Sequence, residues 1–432
     1  MRNEISNITR LSLTHFSAGD VVNTTGGTME AGVITNENAL SPEMKTFYDK
    51  TLITLAGANL VQEQFGQRRP IPRGGGKTVE FRKFSKLPKA LTAITEGVTP
   101  AGNKLNVSAV SCTVDQYGDY IEQTDMLELT AVDNTIVEAT KELASQAGLT
   151  LDTVVRNELI GGTNVMYAPK TQGGTETEIL MREDLTSDCR LRVKDVFKAA
   201  AELKAVNAPK INGSYVAIIH PYVAYDLMQE AGEQWIGIQK YANPDNILKG
   251  EIGTLAGVRF VESTEAKIFA PAEIGGGLSR LTAAEDVSSA AAVPVNEALE
   301  AAEFDTPIPV YVNGAPNTVT AVTVDADTGA AALTLGEAVT VSAGDMICGA
   351  GAGKDGSAVF CTLFIGENAY GVTDIEGGGL EHIVKQRGYG NDPLNQRSSV
   401  GWKATKVAKR LLEEYMIRYE SGSEFSKTAQ AN

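Results

Sequence analysis

The sequence predicts an α+β chain in which a basic hairpin precedes one long helix, an α/β stretch and an acidic block of short strands. Three observations carry that reading: nine basic residues packed into 67–104, a helical apolar period over 135–160, and a block at 272–356 where Ala, Val, Thr and Gly dominate and only two cations occur. The chain has 432 residues and a formal net charge of -16, a length that domain-size priors divide into about two to four units. With 43% hydrophobic and 21% charged residues it has an ordinary globular composition, so disorder is expected only toward the ends.

Residues 1–40 mix Thr, Asn, Gly and Ser without a sustained period and read as an arm that orders on a partner. A short helix is expected over 42–66. The basic run follows, with Arg68, Arg69, Arg73, Lys77, Arg82, Lys83, Lys86, Lys89 and Lys104 set against Glu80 and Glu96, a net +7 that leaves -23 on the rest of the chain. Such asymmetry favours self-association, because the cationic segment of one copy meets an attractive potential on the body of another. Nucleic acid is a poorer partner: the molecule is acidic overall, and Phe65, Phe81 and Phe84 are few aromatics for stacking on bases. Strand signals at 78–82 and 105–120 bracket the run, and Pro88, Gly97, Pro100 and Gly102 lie between them, so the segment reads as a long two-stranded projection. A hairpin with no third strand is marginal in water and is expected to lie across a neighbour.

Over 135–160 the apolar residues Ile136, Leu143, Ala147, Leu151, Val154, Val155 and Leu159 keep a helical period, Thr135 and Glu138 form a capping-box pattern, and Gly161-Gly162 stop the helix. At 1.5 Å per residue it spans about 39 Å, the length of a spine across a flat molecule. A second helix is expected over 193–206, a buried strand over 215–219, a helix from Pro221 through Met228, and a strand over 258–261. The block 272–356 holds twelve acids against Arg280 and Lys354. It reads as an inserted, outward-facing small β domain of short strands. The Asp325-Ala326-Asp327-Thr328-Gly329 cluster reads as a hairpin turn, since the later ligands of a calcium loop are missing. A strand resumes at 359–365, and the period over 402–419 is mixed.

The pattern offers no enzymatic constellation. Gly74-Gly75-Gly76-Lys77-Thr78 resembles a phosphate loop, but Ile71 stands where a glycine is required and Thr78 opens a strand, so a glycine hinge at the hairpin root is the better reading. His15, His220 and His382 have no second ligand at helical or strand spacing, and His220 before Pro221 reads as a structural histidine. Cys112, Cys189, Cys348 and Cys361 lie far apart with no Cys-x-x-Cys, as buried free thiols in a reducing compartment would. Neither a metal nor a cofactor is implied. No apolar run reaches the roughly eighteen residues of a membrane span and no signal peptide is evident, so a cytoplasmic protein without a membrane partner is expected.

Several strings together resemble the major capsid protein family of phage N-four and its relatives. They include Gln64-Phe65-Gly66-Gln67-Arg68-Arg69-Pro70-Ile71-Pro72, Gly74-Gly75-Gly76-Lys77-Thr78-Val79-Glu80-Phe81-Arg82, Gln116-Tyr117-Gly118-Asp119-Tyr120, and Val216-Ala217-Ile218-Ile219-His220-Pro221. Gly257-Val258-Arg259-Phe260-Val261-Glu262, Gly377-Gly378-Gly379-Leu380-Glu381 and Asp392-Pro393-Leu394-Asn395-Gln396-Arg397 continue the series, which is ordered over 62–420 and breaks at 272–356. The resemblance implies a Hong Kong 97 type capsid fold. Residues 1–60 would be the N-terminal arm, 61–130 the extended loop, and 131–212 a peripheral domain with the spine helix. Residues 213–271 and 357–371 would form the axial domain, with the acidic insertion at 272–356 and peripheral strands over 372–432. It also favours strands at the ambiguous C-terminus. The implied function is a tailed-phage major capsid protein, with hexamers and pentamers closing into an icosahedral shell that encloses DNA without reading its sequence. The nine basic residues would be assembly contacts, and scaffold, portal and decoration proteins would be partners. The shell would be built in the host cytoplasm and reside in the virion. The nearest alternative is an encapsulin-like cellular nanocompartment shell of the same fold, which encloses a cargo enzyme. An enzyme centred on His220 would need turnover by a low-order species, and a carbohydrate-binding module has only the acidic insertion in its favour.

Overall fold

A computed structural model describes residues 29–30, 33–34 and 61–432, apart from 85–86, 88, 92, 94–95, 98–101, 131–134, 173, 233–250, 326–328, 386, 389–391 and 393. Apart from the paired strands Met29–Glu30 and Val33–Ile34, the expected arm lies outside the described residues, as do the first part of the 42–66 helix and Lys86. Within 61–66 the chain forms turns rather than helix.

The long helix runs from Thr135 to Ile160. Its inward residues repeat at about four positions and serve two cores. Leu143, Ala144, Ala147 and Leu151 pack with Val400, Trp402 and Ala404, whereas Val155 and Leu159 enter the main core. Each fully buried Leu or Val side chain here contributes about 1.5–3 kcal/mol. At the C-terminal end Arg418 Nη1 donates to the Ile160 carbonyl, a basic side chain capping a helix terminus. Gly161 then gives way to Arg410, whose Nη1 would lie 2.9 Å from any Cβ there.

The main core lies in a seven-stranded mixed sheet. Its order is Glu251–Leu255, Val258–Glu262, Tyr215–Ile219, Val359–Ile365, Met416–Ser421 and Val165–Tyr167, with Ile268–Phe269 added on Val359–Ile365. Tyr215–Ile219 and Val359–Ile365 are buried at every position, as continuous apolar runs covered on both faces must be. Helices Val193–Ala205 and Pro221–Ala231 contribute Val196, Leu203, Val223 and Leu227 to the same core.

The ambiguous C-terminal block is strand: Arg397–Arg410, a single 3-10 turn at Glu413–Tyr415, then Met416–Ser421. Along the long strand Val400, Trp402, Ala404, Lys406 and Ala408 are buried at every second position. The helical spacing of Leu411, Tyr415 and Tyr419 is the offset introduced by the turn. The long strand pairs with Glu381–Lys385, Tyr370–Thr373 and Asp115–Thr124. The expected single strand over 105–120 is therefore two, because Val114 turns the chain between Val107–Thr113 and Asp115–Thr124 and the second piece joins another sheet.

Between Arg280 and Gly349 six antiparallel strands form a separate sheet filled by Val310, Val312, Val319, Leu333, Leu335 and Ile347. The strands were expected to be short, yet Ala302–Val312, Ala315–Val324 and Ala331–Val341 run for 10 or 11 residues. A bridge from Ala283 to Val295, with Asn296 N–H donating to Thr282 O at 3.0 Å, joins the first strand to the last, so the sheet closes on itself at one end. That closure removes part of the exposed edge a small sheet would otherwise present. Arg280, one of the two cations of the block, is committed to its root: Nη2 donates to Gly356 O at 2.6 Å and Nη1 to Lys427 O at 2.9 Å.

Candidate assembly surface

The hairpin is built on its root. Ile71, 2% exposed, bridges to Ile375, and its N–H donates to Asp374 O at 2.8 Å. Gly74 and Gly76 then take φ of 80° and 86°, values that favour glycine, and reverse the chain. Thr78 opens the strand Thr78–Phe84, which pairs with Val107–Thr113 through seven residues. The Gly-rich run is thus a corner leading into a strand, and no helix N-terminus stands behind it. Phe81 is buried against Gly371, where a Cβ would meet the ring at 2.6 Å.

The basic residues fall into two groups. Arg68 pairs with Glu63, Arg69 sits over the Phe81 ring at 5.8 Å, and the Arg73 guanidinium lies against Gly377; these three engage the subunit's own body. Lys77, Arg82, Lys89 and Lys104 are exposed and face outward from the hairpin. Lys83 lies in the strand, but its side chain, like all of Lys86, is outside the described residues.

The joint that holds the root was not read from the sequence. Gln62 N–H donates to Asp152 Oδ1 at 2.7 Å, Tyr370 O–H donates to Gln62 O, and Lys406 Nζ meets Glu63 Oε2 at 2.6 Å with both side chains buried. One signal was available: in an alternating strand Lys406 falls on the inward face, where a cation needs a partner. Burial pushes the Asp152 carboxyl up to about 7, against the opposing hydrogen bonds from Gln62 and Val61 N–H. A carboxyl raised in the folded state contributes stability below its ordinary value, near ~4, and loses it as pH rises toward about 7. Asp152→Asn, which keeps the carbonyl acceptor, is therefore expected to flatten the pH dependence of urea stability between those values. It should also raise stability at pH 8, by up to a few kcal/mol. An unchanged pH slope would remove Asp152 from this role.

His220 caps the helix Pro221–Ala231 by accepting from Tyr222 N–H at Nδ1, 3.2 Å away. Burial lowers its pKa to about 4, which keeps it neutral, the state a capping acceptor requires. All four cysteines are free and buried. The Asp325 turn closes through Gly329 N–H to Asp325 O at 2.8 Å, and residues 326–328 are outside the described ones. Among the described residues no group of three or more His, Cys, Asp or Glu is placed to hold a metal ion, and no helix is long and apolar enough to cross a membrane.

A family model described as phage capsid protein matches residues 144–370. No curated protein matches the sequence significantly. Among solved structures, the capsid of Ralstonia phage GP4 is similar over 85% of this chain and 88% of its own, at 12% identity and a TM-score of 0.51. The capsid of cyanophage P-SCSP1u aligns over 95% and 100% at 13% identity with a TM-score of 0.49. The head of Helicobacter pylori bacteriophage KHP40 aligns over 96% and 99% at 10% identity with a TM-score of 0.46. The fold is the Hong Kong 97 type, and a phage family, rather than a cellular nanocompartment, is what the sequence matches. Since that match spans more than half of its length, the chain belongs to the phage capsid protein family, as a major capsid protein.

Proposed function

We propose that copies of this chain form hexamers and pentamers that close into an icosahedral shell around a DNA genome, without an enzymatic step. The observation that carries this reading is the separation of charge, with exposed Lys77, Arg82, Lys89 and Lys104 on a hairpin of net +7 and -23 on the remainder. In this reading 1–60 is the arm, 61–130 the extended loop, and 131–212 with 372–432 the peripheral domain. The axial domain comprises 213–271 with 357–371, and 272–356 is the insertion. Each contact is weak, and the closed lattice is stable through their number. Assembly takes place in the host cytoplasm, with scaffold, portal and decoration proteins as partners, and the acidic body limits adhesion to packaged DNA. Sedimentation velocity tests it: the expected product is a megadalton particle, and a stable low-order oligomer under all assembly conditions would overturn it.

The insertion belongs on the outer surface, because its net -10 is unfavourable against packaged DNA and a lattice tolerates added mass where subunits do not touch. Replacing 272–356 with a short Gly-Ser linker is expected to give particles of normal diameter. Loss of all assembly, or density for the block on the inner wall, would contradict this placement.

A further inference from the structure

Residues 422–432, GSEFSKTAQAN, follow the strand Met416–Ser421 and carry one large apolar side chain, Phe425. The segment is nevertheless anchored along its length. Gly422 N–H donates to Cys189 O at 2.7 Å, and the chain passes Thr186 O too closely for any Cβ. Ser423 and Ser426 are buried and close a turn on each other, Ser426 N–H to Ser423 O at 3.0 Å and Ser423 N–H to Ser426 Oγ at 2.8 Å. Between them Phe425 stacks on Tyr222, with ring centroids 4.5 Å apart. Ser426 O then accepts from Ala358 N–H at 2.8 Å, and Lys427 O from Arg280 Nη1 at 2.9 Å. Arg280 lies just inside the start of the 272–356 block and Ala358 just past its end, so both chain crossings are held. Asn432 is read by three backbone groups: its Oδ1 accepts from Ile268 N–H at 3.0 Å, and its Nδ2 donates to Thr264 O at 3.1 Å and Ala266 O at 2.8 Å. Two acceptors facing one donor nitrogen fit a carboxamide and oppose a carboxylate.

We propose that 422–432 is a clasp, keyed by the Asn432 carboxamide, that fixes the posture of the 272–356 block on the body of the subunit. Opened, it leaves the block folded but swinging. The inference rests on the reading of 272–356 as an insertion. The apolar core of the block, from Ile274 to Ile347, shares no residue with the main core among the described residues. Polar contacts at the root therefore set how the block sits, and the clasp supplies those to Arg280 and Ala358 beside Lys354 N–H to Leu185 O at 2.8 Å. The clasp also reaches the long helix. The main-chain oxygen of Asn432 accepts from Lys267 Nζ at 2.7 Å and from Nη2 of the buried Arg156 at 3.2 Å. Arg156 lies one turn beyond Asp152, which holds Gln62 at the hairpin root. Neighbouring side chains of one helix thus grip the hairpin root and the clasp, and a shift of that helix would reach the block through 422–432.

Hydrogen–deuterium exchange on the full chain tests this. In the wild type the Ile268 and Ala358 amides, far apart in sequence, should exchange with those of Thr428 and Ala429 as one unit, distinct from the strands of the block. Asn432→Asp sets an acceptor against two carbonyl oxygens and should speed exchange of this set about tenfold. Ala302–Val312, Ala315–Val324 and Ala331–Val341 should keep their protection. Arg280→Lys, which gives up the fork to Gly356 and Lys427, should open the same set from the other end. Posture is read from a dye on the thiol introduced by Ala315→Cys, an exposed position; the four native thiols are buried, so labelling is selective. Its fluorescence anisotropy should fall in both variants. Unchanged exchange in Asn432→Asp, opening at one end alone, or release without a fall in anisotropy would overturn the clasp and leave the insertion reading intact. Loss of protection in the block's strands together with the clasp would overturn the insertion reading and this inference with it. Exposure of Tyr215–Ile219 in both variants would place 422–432 in the main core, which also overturns the inference.

Discussion

A chain carrying Arg82→Glu, Lys83→Glu and Lys86→Glu is expected to fold, remain soluble and build no shells. The three reversals take the 67–104 segment from a net +7 to +1, so the attraction between hairpin and neighbouring body nearly vanishes. Folding is spared because the residues that seat the hairpin, Ile71, Phe81 and Arg69, are untouched and Arg82 is exposed. Single exposed ion pairs contribute only about 0–1 kcal/mol, but every copy in a shell carries the change, so the small terms multiply across the lattice. Wild-type assembly should also weaken with salt, since exposed charges are screened beyond about 8 Å at physiological ionic strength. Circular dichroism together with electron micrographs of the triple variant checks the result. Normal shells at physiological salt would remove the electrostatic part of the account.

The second large effect is on the subunit itself. Glu420 is 0% exposed and accepts from Arg182 Nε at 2.7 Å and Nη2 at 2.6 Å, with Arg418 Nε at 2.9 Å. The Arg182 guanidinium also lies 3.6 Å from the centroid of the Phe269 ring. Glu420→Ala leaves two largely buried guanidinium groups without their carboxylate, and breaking a buried pair in this way costs about 3–5 kcal/mol. Urea unfolding of the subunit is the measurement, and a loss below about 1 kcal/mol would show that water or another group takes over the role. Replacing the set with apolar residues of similar volume should recover part of the loss, because both desolvation penalties disappear together.

The parts of the fold that were legible in the sequence are those in which one local period decides the structure. The long helix begins and ends at the residues its pattern marks, Thr135 and Ile160, and the wholly apolar runs at 215–219 and 359–365 are buried strands. The hairpin corner was legible because Gly74-Gly75-Gly76 precedes a strand. What failed did so where a partner strand distant in sequence settles the outcome. Nothing near Val114 signals that the chain leaves one sheet for another, since the partner of Asp115–Thr124 lies at 397–406. The turn at Glu413–Tyr415 likewise disguised two strands as a mixed period, and Met416–Ser421 joins the seven-stranded sheet beside Val359–Ile365. Strand lengths in 272–356 were underestimated because Ala and Gly carry little strand signal of their own, and closure of the sheet supplies the order. At the candidate surface the cations were visible as a run, but their division into seated and outward-facing groups depends on Phe81 and Gly377, which only the fold brings near, as well as on the local partner Glu63.

Reconstruction of the purified protein's assemblies by electron cryomicroscopy tests the central claim most directly. The account predicts closed shells of pentamers and hexamers, with each basic hairpin lying on an adjacent subunit and the 272–356 block on the outside. A uniform low-order oligomer that never closes, or shells in which the hairpin folds back on its own subunit, would contradict it.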